Sequence, residues 1–344
     1  MFSVQCSSFS VRHSVFNTTM HILKKHQLVG SIVLLVFSAY IALSFGSFSI
    51  NILNPENFSG ILQQIIILRV YRILTAFIVG GALAVAGTAY QAVLRNPLAE
   101  PFILGISGGA SIGAAVAIVS GAVALSYFSL PLFAFVGAIV VLSIVLLLSR
   151  GMGVEYSNNV MLSGIIVGTL CSSILMFIIS TLGENELNSI TWWMLGNLQP
   201  GDTRLLFVVA VIVVLGTFVL FLFGRSINVI SMGEEMAYYL GMSPFLLSII
   251  VLSIASLLTA AVVSLSGIIG FVGLIIPHIL RRFFGTDHRK LFPLVFIYGG
   301  IFIIICDTFA RTVMSPQVIP VGVVTALVGG PFFLWVLNKK SSKI

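Results

Sequence analysis

The chain has 344 residues, of which 58% are hydrophobic and only 8% are charged. A soluble domain carries about 25% charged residues, so this composition excludes a soluble fold and makes lipid the solvent for most of the chain. The formal net charge of +7 does not indicate a nucleic-acid partner, because the basic residues lie between the apolar runs, where they would act as topology signals. We expect an integral membrane protein.

Ten apolar runs follow one another along the chain, each close to the roughly 20 residues that a membrane-spanning helix needs. The seventh and eighth runs are continuous, and we place the break between them at Ser266–Gly267. The polar, mildly basic residues 1–27 are read as a retained tail rather than a cleaved signal, and 339–344 as a second tail. The membrane domain is then 28–338, with predicted spans at 28–46, 68–92, 102–124, 130–149, 159–182, 204–223, 245–265, 268–284, 291–310 and 320–338.

The basic residues predict the orientation of these ten spans. With the N-terminus inside, 13 of the 17 Lys and Arg residues fall on the inner side. This is the asymmetry of the positive-inside rule, so both termini are expected in the cytoplasm. The outer side keeps only four basic residues, which are Arg69, Arg72, Arg204 and Arg311.

Small residues recur at helical spacing in the second and third predicted spans, a pattern that allows close contact between helix backbones. The outer segment 183–203 contains Trp192 and Trp193, placed as in an aromatic belt or a re-entrant helix; we favour interfacial anchoring, with substrate contact as the alternative. The recurring small residues predict tightly packed helices at two stripes, Gly80–Ala84–Thr88 and Gly105–Gly109–Gly113.

Residues 105–109 also fit the G-x-S-x-G pattern of serine hydrolases. A hydrolase elbow needs a strand before the serine, whereas Ser107 lies in a predicted membrane span. An intramembrane protease would need a facing histidine, for which His278 is the only plausible candidate. Packing explains the stretch, so no catalytic residue is assigned, and a protease stays a remote alternative.

No residues are expected to bind a metal or cofactor. Cys6, Cys171 and Cys306 are far apart and form no C-x-x-C pair. The chain also lacks the G-x-x-x-x-G-K-[ST] phosphate loop, so we do not expect it to hydrolyse ATP itself.

The inner segment 225–243 contains a short amphipathic pattern. Ser231 followed by Glu234 has the form of a capping box, and Gly241 is suited to end a helix in the left-handed conformation. The two adjacent glutamates, Glu234 and Glu235, would be repelled by anionic lipid. We therefore favour docking into another protein over a helix lying on the lipid surface, with one apolar face formed by Met236, Tyr239 and Leu240.

Two outer arginines, Arg69 and Arg72, lie on one helical face without an acidic neighbour in sequence. Arg311 follows Asp307 by four residues and can pair with it. Charges near the bilayer are costly without a partner and are commonly functional. The three arginines therefore suggest an anionic ligand or an acidic partner surface.

Four stretches together resemble the permease subunits of bacterial ABC importers for ferric siderophores, haem and vitamin B12. They are LRVYRILTAFIVGGALAVAGTAYQAVLRNPLAEPFILGISGGASIGA (68–114), SMGEEMAYYLGM (231–242), LSGIIGFVGLIIPHILRRFFGTDHRKLFP (265–293) and IPVGVVTALVGGPFFLWVL (319–337). The resemblance implies the all-α type II importer permease fold with ten spans, in the bacterial plasma membrane.

The resemblance also implies partners and residue roles. Two permeases, identical or paralogous, would enclose a path, with two separate ATPases supplying ATP–Mg and an extracytoplasmic binding protein delivering the cargo. Segment 225–243, here named the coupling segment, would dock on the ATPase. Three sets of residues carry these roles: Arg69, Arg72 and Arg311 would receive glutamates of the binding protein; Ser231, Gly233, Glu234, Glu235, Met236, Leu240 and Gly241 would couple to the ATPase; Asn96, Leu98, Ser157 and Asn158 would form the cytoplasmic gate.

Ser157 and Asn158 depart from the threonine–serine pattern of the family. The motifs are shared by siderophore, haem and corrinoid carriers, and we favour a ferric siderophore as cargo. The main rival is a proton-driven secondary transporter, which would place ionisable residues near the middle of the membrane. Only Asp307 approaches such a position.

Overall fold

The computed structural model describes residues 25–46, 60–149, 156–199 and 201–341. Within these ranges the chain is all-helical and contains no strand, as the composition predicts. The helices are α1 (Lys25–Ser44), α2 (Gly60–Val93), α3 (Ile106–Val119), α4 (Ser129–Ser149), α5 (Tyr156–Ser180), α6 (Glu184–Met194), α7 (Thr203–Leu222), α8 (Gly224–Ile230), α9 (Glu234–Tyr239), α10 (Pro244–Ser266), α11 (Val272–Phe284), α12 (His288–Thr312) and α13 (Val321–Ser341).

Each of the ten predicted spans overlaps one of these helices. Among the described residues, seven helices are long and apolar enough to cross a membrane: α1, α2, α4, α5, α7, α10 and α12. The other three spans are shorter than predicted, since α3 has 14 residues, α11 has 13, and the apolar part of α13 is Val321–Val336. Short 3-10 turns flank α3 and take up the remainder of its predicted span.

Helix α2 lies at the centre of the bundle and contacts α10, α11 and α12. It has 34 residues and begins eight residues before the predicted span, so it is about 51 Å long. Its second half is buried almost without interruption. Gly80 is essential to this packing, because a Cβ there would lie 2.2 Å from the carbonyl oxygen of Gly299 in α12.

The glycine stripe of α3 packs against α4, as predicted. A Cβ on Gly109 would lie 2.5 Å from the carbonyl oxygen of Gly137, and a Cβ on Gly113 would lie 2.1 Å from that of Phe133. Small residues therefore let these two backbones touch. The predicted packing role is confirmed for Gly80, Ala84, Gly109 and Gly113, whereas Gly105 precedes α3 in a left-handed conformation and lies against Gly168 of α5.

The predicted break at Ser266–Gly267 is also confirmed. Helix α10 ends at Ser266, Gly267 has a φ of +70°, and an extended segment leads to α11. This segment packs against the residues that follow α6, where the backbone of Asn197 donates to the carbonyl of Ser266 at 2.7 Å. The extended segment replaces the first turn of the predicted eighth span, which is why α11 is short.

The predicted domain boundaries differ slightly from the helix ends. Helix α1 begins at Lys25, inside the predicted tail 1–27, and the rest of that tail lies outside the described residues. Helix α13 continues to Ser341, so residues 339–341 of the predicted second tail are helical. No proline or glycine follows Leu337, the last residue of the apolar run, to end the helix there.

Candidate functional site

The three predicted docking arginines meet in one cluster, together with Asp307. Arg72 holds the Asp307 carboxylate with two nitrogens, Nε at 2.8 Å and Nη2 at 2.7 Å from Oδ1. Arg311 reaches the other oxygen, Oδ2, at 3.0 Å. The pairing of Asp307 with Arg311 was an alternative from the sequence, whereas its pairing with Arg72, 235 positions away, was missed. We name these four residues the arginine cluster.

The arginine cluster also binds the end of α1. Arg69 Nη1 donates to the carbonyls of Leu43 and Ser44, and Arg311 Nη2 donates to that of Ala42 at 3.2 Å. The last carbonyls of a helix have no intrahelical partner and carry the negative end of its dipole. Arginines from α2 and α12 therefore cap α1 and attach it to the bundle.

The cluster is buried within this chain. The exposed fractions of Arg69, Arg72 and Arg311 are 6%, 8% and 6%, and that of Asp307 is 2%. Three arginines and one aspartate leave a formal excess of two positive charges. The carbonyls of α1 offset part of this excess, and an acidic group of a partner would offset more. Docking at these arginines stays a prediction.

The coupling segment folds as two short helices, α8 and α9, rather than one capped helix. The predicted capping box is wrong, because Gly233 is the N-cap of α9 and Ser231 ends α8, with its hydroxyl donating to the carbonyl of Asn228. The φ of +133° at Gly233 turns the chain between the two helices. This conformation is open to glycine and not to serine.

The predicted end of the segment is correct. Gly241 has a φ of +76°, its N–H bonds the carbonyl of Tyr238, and the N–H of Met242 bonds that of Ala237. These two bonds form a Schellman motif. The exposed fractions of the residues Met236, Tyr239 and Leu240 are 44%, 82% and 61%, which leaves the predicted apolar face uncovered by this chain.

The residues of the two predicted gate loops lie side by side, but Ser157 and Asn158 belong to the first turn of α5 and not to a loop. Asn96 forms a tight turn in which its Oδ1 accepts from the N–H of Leu98 at 2.9 Å, and its Nδ2 lies 4.0 Å from the sulfur of Met161 in α5. Ser157 near the start of α5 lies 3.0 Å from the carbonyl of Val93, the last residue of α2. Leu98 and Asn158 are exposed.

A polar network that sequence reasoning missed anchors α8 to the turn between α11 and α12. Asn228 donates to Asp287 at 2.8 Å and accepts from the backbone N–H of His288 at 2.9 Å. Partial burial raises the pKa of Asp287, but hydrogen bonds from Arg289 and Asn228 outweigh it, so the pKa lies below the ordinary value of 3.8. A sequence signal existed, since Asp287 has the form of a helix N-cap.

Neither residue of the remote protease alternative is placed as that alternative requires. Ser107 lies in the first turn of α3 behind a left-handed Gly105, with no strand before it in the described part of the chain. His278 packs edge-on against the rings of Phe332 and Phe333, with ring centroids 6.2 Å away in both cases. The packing interpretation of the G-x-S-x-G stretch therefore suffices.

Comparison with known proteins identifies the family. The model of the FecCD transport family matches residues 34–339, which is nearly the whole chain. The chain belongs to the FecCD transport family. Its fold is that of the type II ABC importer permeases: a solved inward-facing structure, described as a metal-chelate type ABC transporter, has a TM-score of 0.83 at 31% identity. That alignment covers 92% of this chain and all of the other.

Two relatives indicate the breadth of the family. The hemin transport system permease HmuU of Yersinia pestis is 35% identical over 79% of this chain and 82% of its own length. The cobalamin import system permease BtuC of Halobacterium salinarum is 37% identical over 79% of this chain and 73% of its own length. The chain is thus a multi-pass membrane protein of a transport family whose members carry chemically different cargo.

Proposed function

We propose that this chain is the membrane-spanning subunit of an ABC importer and that it works with a separate ATPase. It would pair with a second permease, identical or paralogous, to enclose the path. Two ATPase subunits with ATP–Mg would drive the cycle, and an extracytoplasmic binding protein would deliver the cargo. Both termini of the chain would face the cytoplasm.

The observation that carries this proposal is the coupling segment. Two helices too short to be stable alone are held by a glycine turn and a Schellman motif, and they present an uncovered face formed by Met236, Tyr239 and Leu240. Helices α7 and α10 flank the segment. A rigidly framed apolar face between two spans suits docking into a groove of another protein.

The arginine cluster supports docking of the binding protein at the opposite side. Its two excess positive charges favour a partner that presents carboxylates, and Arg–carboxylate pairs have strong, directional geometry. Arg69 contributes to this positive charge while its guanidinium donates to the neutral carbonyls of Leu43 and Ser44. Binding of the partner would favour one state of the permease only if these contacts differ between states.

For the cargo, we propose a ferric siderophore, with haem and vitamin B12 as alternatives. The metal-chelate neighbour and a relative from Helicobacter pylori named as an iron chelatin transport permease favour an iron complex, whereas the two relatives described above carry names of haem and cobalamin systems. Bulky chelates of this kind need a wide path, which two permeases can enclose between them.

The test is purification of the complex through a tag on this chain. We expect a phosphate-loop ATPase to copurify, and a binding protein to bind the complex. The complex and binding protein are then offered iron-55 ferrichrome, haemin and cobalt-57 cyanocobalamin in parallel. Copurification of the ATPase with transport of one of these probes supports the proposal, and purification of an active transporter without an ATPase contradicts it.

A proton-driven transporter is the main rival, and Asp307 is the residue on which it would depend. Asp307 is buried and bound by two arginines, so it serves as their counter-charge. Uptake by intact cells separates the two mechanisms. We expect uptake to survive collapse of the proton gradient while ATP is maintained, and to stop when ATP is depleted.

A further inference from the structure

One carboxylate of the coupling segment contacts the segments that bear both gate loops. Oε1 of Glu234, the first residue of α9, lies 3.2 Å from Arg95 Nη2 and 3.0 Å from Ser157 Oγ. Arg95 immediately precedes Asn96 of one predicted gate segment, and Ser157, in the first turn of α5, belongs to the other. The only covalent connections between these segments run through whole spans, so Glu234 provides a direct route from the coupling segment to the gate.

The contact with Ser157 can switch between two acceptors. The hydroxyl of Ser157 lies 3.0 Å from Glu234 Oε1 and 3.0 Å from the carbonyl oxygen of Val93. A serine hydroxyl has one proton to donate, so the two acceptors compete for it. If Glu234 withdraws, the proton remains bonded to Val93 and no buried donor is left unpaired.

The contact with Arg95 can also break at low cost. The side chains of Arg95 and Glu234 are 37% and 23% exposed, so water can solvate both charges when they separate. Arg95 itself has a φ of +49°, an uncommon conformation for a residue with a Cβ. This left-handed residue marks the point where the chain leaves α2 and turns into the gate loop.

The other end of the coupling segment is held differently. Asn228 in α8 bonds Asp287 and the backbone of His288 through its neutral amide, and His288 is buried. The segment is therefore fixed at α8 to the turn between α11 and α12, and joined at α9 to the gate by charges that can separate. Movement of α9 relative to α8 would change the Glu234 contacts first.

We propose that Glu234 is a positioning residue that transmits movement of the coupling segment to both gate loops through Arg95 and Ser157. The proposal rests on the proposed function, because it needs a separate ATPase docked on the coupling segment. It assigns Glu234 a role within the permease, distinct from the role of the exposed face that would meet the ATPase.

The experiment measures access to the gate in the purified complex. Leu98 is replaced by cysteine in a chain without its native cysteines, and a charged maleimide reports the labelling rate with and without ATP–Mg and vanadate. In the parent complex we expect the nucleotide to change the rate at least tenfold. In Glu234→Gln we expect a change below twofold when the labelling rate is normalised to the amount of ATPase that copurifies.

Charge exchange supplies the matched control. Glu234→Arg and Arg95→Glu should each reduce the nucleotide-dependent change, and the double variant should recover at least half of it. Glu235 is exposed and makes no hydrogen bond or ion pair with another described residue. The Arg95→Glu change should therefore not rescue Glu235→Arg.

Two kinds of result would overturn the proposal. The role of Glu234 alone is contradicted if the Glu234→Gln complex keeps its full nucleotide response. It is also contradicted if the double charge exchange is no better than the weaker single variant. A parent complex that contains no ATPase, or whose labelling ignores nucleotide, overturns the proposed function and the link together.

Discussion

The arginine cluster and the Glu234 link both join distant parts of the chain by charge, but in different surroundings. In the cluster, Arg72 and Asp307 have side chains that are 10% and 3% exposed. In the link, Arg95 and Glu234 are 37% and 23% exposed. A buried ion pair is costly to break because each charge loses its partner away from water, whereas an exposed pair contributes little and separates readily. The arginine cluster therefore suits a fixed joint between helices, and the Glu234 link suits a joint that moves.

The largest expected effect is the loss of the cluster's carboxylate. Asp307→Asn leaves Arg72 and Arg311 buried without a counter-charge, and we expect a destabilisation of about 3–5 kcal/mol. Thermal unfolding in detergent measures it. Asp202→Asn is the control, because asparagine caps a helix as well as aspartate does. Equal stability of the two variants would contradict the account of the cluster as a fixed joint.

The next effect tests the contact that brings α2 and α12 together. Gly80→Ala places a methyl group against the carbonyl of Gly299, and overpacking of this kind costs about 1–3 kcal/mol. Gly30→Ala is the matched control, since nothing lies within 4 Å of its Cβ position. Unfolding temperatures of the two variants decide the comparison. A Gly80→Ala chain as stable as Gly30→Ala would show that the two helices can separate without loss.

A smaller structural effect with a large functional one is expected at Arg69. Arg69→Gln keeps a donor for the carbonyls of α1 but removes the charge, so the free energy of unfolding should fall by about 1 kcal/mol, the worth of an ordinary hydrogen bond. If Arg69 receives a carboxylate of the binding protein, affinity should fall at least tenfold, or about 1.4 kcal/mol. Titration of the binding protein measures it, and unchanged affinity would restrict Arg69 to capping α1.

The smallest effect on stability is expected at the exposed link. Glu234→Gln removes an ion pair worth about 0.2–1 kcal/mol, so its unfolding temperature should lie close to that of the parent. A loss as large as that of Asp307→Asn would mean that Glu234 is a fixed part of the fold, and the distinction between the two joints would fail.

The helices were predictable from the sequence because each apolar run is long and the small residues repeat at helical spacing. Gly80 and Gly113 could be identified as contact points for this reason, and Gly267 as a break. The start of α2 at Gly60 was missed because the polar pair Gln63–Gln64 interrupts the apolar run, although it does not interrupt the helix.

The candidate sites were predictable only as sets of residues. Local spacing paired Asp307 with Arg311, but the pairing with Arg72 depends on how α2 packs against α12, which no local pattern specifies. Similarly, Ser231 and Glu234 matched a capping box at the correct spacing, while the turn at Gly233 directed Glu234 towards Arg95 instead. Tertiary packing determined which of the possible partners each charge acquired.

We propose that this chain forms part of a transport path and relies on a separate ATPase for energy. Transport into proteoliposomes tests it most directly, with the transported probe identified among ferrichrome, haemin and cyanocobalamin. We predict uptake when the ATPase, the binding protein and ATP–Mg are all present, and none when the ATPase is omitted. Uptake by the chain without an ATPase, at the rate of the full complex, would contradict the account.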